Sequence, residues 1–349
     1  MAKSIIITKH GGPEVLELKD INVGSPGPEE IKIKNLAIGL NFIDTYHRSG
    51  LYKLKLPSGI GMEGAGIIEE VGSSIKNFNR GDRVTYSQMP LGSYSDERII
   101  PEKIAVKIPE GISDEIAASI MTKGLTSHYL LFKTYKAKAG ELILFHAAAG
   151  GVGQVFCQWA KSIGCRVIGT VGSDSKIDVA KKNGCEFVIN YNKEDFDKKV
   201  LEITDNKGVG VVYDGVGKKT FEKSINCLKP MGMMISFGNA SGALDPIDVK
   251  KYIAHKSLFF TRPGLAHYGA GRAALEEGAS ALFEQIKFGR IKINIFKEYK
   301  LSEAKKAHED LEGRKILGPA ILIPNWIMKF ISPCISICKS DPKTGFCYG

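Results

Sequence analysis

The decapeptide FHAAAGGVGQ, Phe145 to Gln154, sits near the middle of the chain, between an apolar run and a segment of helical spacing. The run ELILFHA (141–147) reads as a buried strand, and GVGQVFCQWAKSIG (151–164) reads as a helix closed by Gly164. Strand, glycine-rich turn, helix is the context of a pyrophosphate site. Gly150 lets the backbone approach the phosphates, Gly153 lets helix and strand pack closely, and the free N–H groups of the helix start favour an anion. The first position of this fingerprint holds Ala148 instead of glycine. An alanine is tolerated there if the turn does not need positive φ at that residue.

The pattern then repeats. CRVIGTV (165–171) is the next strand, SKIDVAKKNG (175–184) a helix and FVINY (187–191) a strand; VGVVYDGVG (209–217) and MMISFGNA (233–240) follow as two more. Strands alternating with helices of this length predict a doubly wound parallel sheet. The segments on either side differ. Residues before about 113 show short β-branched runs, Ile31–Lys34 and Gly66–Val71, punctuated by SPGPEE (25–30) and NRGDRV (79–84). A helix then starts at SDEIAASIMTKGLTSHYLLF (113–132), with Ser113 as N-cap. After about 263 the spacing predicts helices at 273–288 and 302–311 and a last strand, AILIP (320–324). The two flanks are read as one second domain, with a cleft between it and the sheet.

The strand after the glycine turn separates NAD from NADP. An NAD site usually ends that strand in Asp or Glu, for the ribose 2′-OH. Here it ends in Thr170-Val171-Gly172-Ser173, with Lys176 following. Small, hydroxylic and basic residues suit a 2′-phosphate, and NADP(H) is the expected cofactor. Asp174 points the other way unless it lies past the strand and faces solvent.

Composition limits the class. The 349 residues are 43% hydrophobic and 25% charged, ordinary for a soluble protein, with no apolar run long enough for a spanning helix. MAKSIIITKHGG has no signal-peptide core, so a cytoplasmic protein is expected. Net charge is +10, yet no Lys/Arg run exceeds two and no aromatic residues interleave with basic ones. Nucleic acid is therefore not the expected partner. Cys157, Cys165, Cys185 and Cys227 form no C-x-x-C pair and read as buried thiols.

The chain resembles the zinc-free quinone oxidoreductases of the medium-chain dehydrogenase/reductase superfamily, the zeta-crystallin-like group. The resemblance rests on AIGLNFIDTYHRSGLY (37–52), GMEGAGIIEEVG (61–72), GDRVTY (81–86), KGLTSHYLL (123–131), FHAAAGGVG (145–153), QWAKSIG (158–164), INYNKEDF (189–196), VVYDGVG (211–217), SFGNASGA (236–243) and TRPGL (261–265), and runs to about Pro324. It implies a GroES-like β-rich catalytic domain of residues 1–123 and 264–324, and a Rossmann NADP-binding domain of 124–263. It also implies a homodimer. Zinc-dependent relatives use a Cys and a His as ligands in the first domain. Asn41 resembles the occupant of the Cys position and Met62 that of the His, so no catalytic zinc is expected; a thioether is a poor zinc ligand.

Carried over residue by residue, the resemblance puts the nicotinamide end against Asn41, Phe42, Ile43, Asp44, Thr45 and Tyr46, with Tyr129 nearby. The pyrophosphate falls on Gly150, Gly151, Val152 and Gly153. Gly172, Ser173, Lys176 and Tyr191 meet the 2′-phosphate end. Val216 and Gly238, Asn239, Ala240 and Ser241 line the nicotinamide side, with Pro263, Gly264 and Leu265 adjoining, and Arg314 reaches the cofactor. The sequence departs from the pattern at Gly215, where many relatives have Ser, and in a shorter loop near Lys53–Leu56, at the expected substrate mouth.

Without a Lewis acid the expected substrate is already electrophilic: a quinone reduced by NADPH. Asn41, Tyr46 and Tyr52 are the expected catalytic groups, as donors to developing oxyanions or as an aromatic wall. An NADPH-dependent 2-alkenal or enone reductase is the alternative on the same fold. A non-catalytic RNA-binding or crystallin-like role is the alternative of another class. Residues 325–349 exceed the family's usual end. SPCISICKSDPKTGFCYG (332–349) resembles the truncated start of a small cysteine-rich bacterial domain, and the tail is expected to be poorly ordered.

Overall fold

The computed structural model describes residues 1–327. The chain starts with β1 (Ala2–Ile7), β2 (Glu17–Ile21), β3 (Glu30–Gly39), α1 (Phe42–Ser49), β4 (Ser58–Gly59), β5 (Glu63–Val71), β6 (Arg83–Ser87), β7 (Glu97–Pro101) and β8 (Ala105–Lys107). Helix α2 (Asp114–Tyr129) leads into β9 (Leu142–Phe145), α3 (Gly151–Ser162), β10 (Arg166–Val171), α4 (Ile177–Lys182), β11 (Phe187–Asn190), α5 (Phe196–Ile203), β12 (Val209–Asp214), α6 (Phe221–Asn226), β13 (Leu228–Ser236), α7 (Val249–Tyr252) and β14 (Phe259–Thr261). The described chain closes with α8 (Leu265–Tyr268), α9 (Arg272–Lys287), β15 (Lys297–Lys300), α10 (Ala304–Glu312) and β16 (Ala320–Ile323).

Strands β9–β14 form a six-stranded sheet in the order β11-β10-β9-β12-β13-β14, parallel throughout. This is the doubly wound sheet expected from the alternation. The order reverses between β9 and β12, where Leu144 and Phe145 face Val212 and Tyr213 in register. Ligands of such sheets bind beyond the strand ends at that point, and the glycine turn lies there. The sixth strand, Phe259–Thr261, escapes the sequence reading because three residues carry no period.

The flanks share one sheet. β15-β16-β3-β5-β6-β8 run side by side, with β7 also paired to β3, so residues from both chain ends interleave. The pairing Ile321↔Gly39 and Leu322↔Ile38 makes the join. Helix α2 belongs to neither unit alone. Its Thr122 amide binds Glu63 of β5, while its His128 ring packs on Trp159 of α3 at 5.7 Å. The boundary expected at 123/124 falls inside this helix. Beyond β16, Asn325 N–H donates to Asp96 and the Trp326 indole donates to the Asn35 carbonyl at 3.0 Å. Cys334, Cys338 and Cys347 lie outside the described residues.

Candidate active site

The glycine turn has the geometry a phosphate cradle needs. The positive φ falls on Ala147, at 57°, one residue before Ala148. That is why alanine is accepted in the fingerprint's first position. A side chain at Gly153 would stand 2.5 Å from the Ala147 carbonyl oxygen, so only glycine packs there. Gly150 caps α3 in extended conformation and offers no side-chain hydrogen bond to the first turn. Gln154 donates to the Ala149 carbonyl and, at 2.6 Å, to the Leu317 carbonyl. It thereby ties the 313–318 loop, with Arg314, to the turn.

At the end of β10, Lys176 is half-buried, and burial together with the Arg314 charge pulls its ammonium below the ordinary lysine range. Neither cation has an ion-pair partner among the described residues, and both are thus available to a phosphate. Arg314 itself has φ 58°, a strained conformation for a non-glycine residue. Gly172 leaves room for Tyr191, whose hydroxyl would stand 2.8 Å from any side chain there. Ser173 Oγ lies 3.0 Å from Ser175 Oγ. Asp174 is engaged by Asn190 at 2.7 Å and by Lys193. Its carboxylate is exposed to solvent and paired with the Lys193 ammonium.

On the other wall, Asn41 caps α1 and its side-chain amide is clamped. Its oxygen accepts from Lys123 Nζ at 2.8 Å, and one of its N–H groups donates to Glu63, leaving the other. Lys123, 4% exposed, and fully buried Glu63 form an ion pair at 3.6 Å. The Lys123 chain crosses over Gly151, where a Cβ would come within 2.8 Å of it. This ammonium therefore joins the phosphate turn to Asn41. Sequence reasoning missed it as a site residue. Its signal is a lysine amid the small and apolar residues of α2.

The Tyr46 oxygen accepts the Asn239 amide N–H at 3.1 Å, closing α1 against the Gly238–Ser241 turn and leaving the phenol proton free to donate. Burial raises this phenol to about 12, with the Arg262 charge acting the other way. That turn rests on Val216, whose carbonyl accepts from the Ser241 amide and hydroxyl, both at 2.8 Å, while the Ala240 amide reaches Gly215. Tyr52 packs edge-on to Tyr46 at 5.4 Å, Phe42 flanks Tyr46 at 5.6 Å, and Tyr129 stacks on Tyr268 at 4.9 Å. Ile43 is half-buried on α1. Pro263, Gly264 and Leu265 lead from β14 into α8 beside this cluster.

Two expected contacts face inward instead. Asp44 is fully buried and accepts from the Asn41 amide and the Tyr94 hydroxyl, each at 2.9 Å. Thr45 bonds to the Phe42 carbonyl at 2.7 Å. Both shape α1. A chain of hydrogen bonds continues from Asp44: Arg48 donates to His308 Nδ1 at 3.0 Å, which leaves His308 Nε2–H to donate to Tyr94 at 3.1 Å. Among the described residues no three His, Cys, Asp or Glu side chains group so as to hold a metal ion. The amide, thioether and ammonium of Asn41, Met62 and Lys123 do not fit zinc.

Comparison with known proteins agrees with this geometry. The family profile described as alcohol dehydrogenase GroES-like domain matches residues 27–110, and that described as zinc-binding dehydrogenase matches 151–275. A quinone oxidoreductase of Pseudomonas aeruginosa is 48% identical over 325 residues, covering 93% of this chain and 100% of that protein. The chain belongs to the quinone oxidoreductase family. Within that family, the crystal structure of an Escherichia coli quinone oxidoreductase complexed with NADPH is similar at a TM-score of 0.91 and 48% identity, covering 92% of this chain and 100% of that one. A 2-haloacrylate reductase of Burkholderia sp. is 43% identical over 331 residues, covering 93% of this chain and 99% of that protein.

Proposed function

We propose that the protein is a zinc-independent NADPH:quinone reductase working in the cleft between its six-stranded parallel sheet and its β-rich unit. The observation that carries this reading is the glycine turn itself: Gln154 ties the Arg314 loop to it on one side, and Lys123 joins it to Asn41 on the other, with Tyr46 held by the adjoining Gly238–Ser241 turn. NADPH supplies the reducing equivalents. The amides of Gly151–Gly153 would hold its pyrophosphate, while Gly172, Ser173, Lys176, Tyr191 and Arg314 would hold the 2′-phosphate. Residues 124–263 would form the cofactor unit, and 1–123 with 264–324 the catalytic unit.

The Tyr46 and Tyr52 phenols accept from Asn239 and Arg262 respectively, so each keeps its proton for an acceptor in the cleft. With the remaining Asn41 N–H they would stabilise negative charge developing on the quinone oxygens. Lys123 and Glu63 would fix the Asn41 amide. The exposed Phe259 on edge strand β14 is a candidate contact for a homodimer. No helix among the described residues is long and apolar enough to cross a membrane, and we place the protein in the cytoplasm.

NADPH oxidation by chelator-treated enzyme, with 1,4-benzoquinone, a naphthoquinone and a 2-alkenal as acceptors and NADH as control, tests the reading. Quinone-dependent turnover with NADPH preference is expected, and Lys176→Ala should cut that preference about tenfold, the loss of roughly one charge-assisted contact. Turnover with the alkenal alone would overturn the proposal.

A further inference from the structure

Arg262 follows β14 at the mouth of the cleft, opposite Tyr46 and Tyr52. One guanidinium N–H donates to the Ser236 carbonyl at 2.6 Å. Another reaches the Tyr52 hydroxyl at 3.4 Å and the Asn239 side-chain oxygen at 3.1 Å, whose amide nitrogen donates in turn to Gly238. Arg48, Arg83, Arg166 and Arg272 each pair with a carboxylate. Arg262 has none in ion-pair range among the described residues. The two segments that meet here, 49–62 and 257–275, contain no Asp or Glu, and the first contributes Lys53 and Lys55 beside Tyr52. A guanidinium that is exposed but tethered, set beside aromatic side chains and without an acid, is a preformed receptor for an anion on a flat ring. The rings offer stacking surface and the fork offers paired donors.

We infer that Arg262 makes the cleft select acceptors bearing a negative charge beside the reducible ring: quinones carrying a sulfonate, a carboxylate or an ionised hydroxyl. The inference rests on the quinone-reductase reading and narrows its substrate class. Arg262 acts as a specificity residue. Its charge pairs with the substituent, and no bond is made or broken there.

The test compares kcat/KM for 1,4-naphthoquinone-2-sulfonate and 1,4-naphthoquinone at saturating NADPH in the wild type, Arg262→Gln and Arg262→Lys. The difference in reduction potential between the two acceptors cancels when their ratio is compared across variants. The sulfonate-to-neutral ratio should fall about tenfold in the Gln variant, mainly through KM, and recover partly in the Lys variant. Salt should erode the wild-type ratio. An unchanged ratio overturns the inference, whether both rates fall, neither does, or only the KM for NADPH rises. If no quinone is reduced, the reading of function fails separately. Calorimetric titration of 2-naphthalenesulfonate against 2-naphthol then decides on binding alone. Sulfonate affinity about tenfold lower in Arg262→Gln supports the role, and equal affinity overturns it.

Discussion

Lys123 shows how one residue can serve two walls of a cleft. Its ammonium is withdrawn from water and faces Glu63, which also accepts the Thr122 amide at 2.7 Å. Removing one partner of a buried pair leaves the other charge uncompensated, at about 3–5 kcal/mol; removing both is far cheaper. Lys123→Met should therefore lower stability by about that amount in urea unfolding, and adding Glu63→Gln should restore most of it. Additive losses would show that the two groups do not act as a pair. The composition of α2 makes a buried lysine visible in the sequence. Its partners come from residues 60 and 82 positions away, and no local pattern indicates them.

At the scale of elements, the turn between β9 and α3 separates two kinds of glycine. A methyl group at Gly153 would meet the backbone oxygens of Ala147 and Ala148, at 2.5 and 2.6 Å, which cannot move without shifting strand against helix. At Gly151 it would meet the far end of the Lys123 side chain, which can. Gly153→Ala should raise the KM for NADPH at least about tenfold by displacing the helix start, whereas Gly151→Ala should give a smaller rise, read from initial rates. Equal effects would mean that helix packing does not position the cradle. This turn was the most legible element in the sequence, because strand, glycine spacing and helix are all local. Helix α1 was less so. NFIDTY marks a site, but only packing shows that Asp44 and Thr45 face inward while Tyr46 faces the cleft.

For the molecule as a whole, buried titratable groups set the response to pH. Burial lowers His47 to about 4 and His308 to about 3, and lowers the fully buried His146 as well. The unfolded chain takes up protons at these sites from about pH 6.5 downward while the folded one does not, so they make stability fall as pH falls. Asp44, raised by burial to about 7, acts in the opposite sense: between about 4 and 7 the folded state holds the extra proton, and stability falls as pH rises. The two effects partly cancel in the wild type. Asp44→Asn should widen the gap between urea midpoints at pH 4.5 and 6.5. An unchanged gap would remove Asp44 from the account. None of this is legible in the sequence, since histidine and aspartate acquire these environments only when residues far apart, such as Arg48, Tyr94 and His308, converge.

The seating of β16 against β3 also has a history in time. On the ribosome, residues 142–261 can pair their strands as soon as they emerge, because the six-stranded sheet is contiguous in sequence. The partner of Gly39 is Ile321. At about 5–20 residues per second the end of β3 waits roughly 15–55 s for it. For the last 60 residues of that interval, about 3–12 s, the nascent protein carries a finished parallel sheet beside an open sheet edge. That edge is where a chaperone, or a second nascent chain, would bind first.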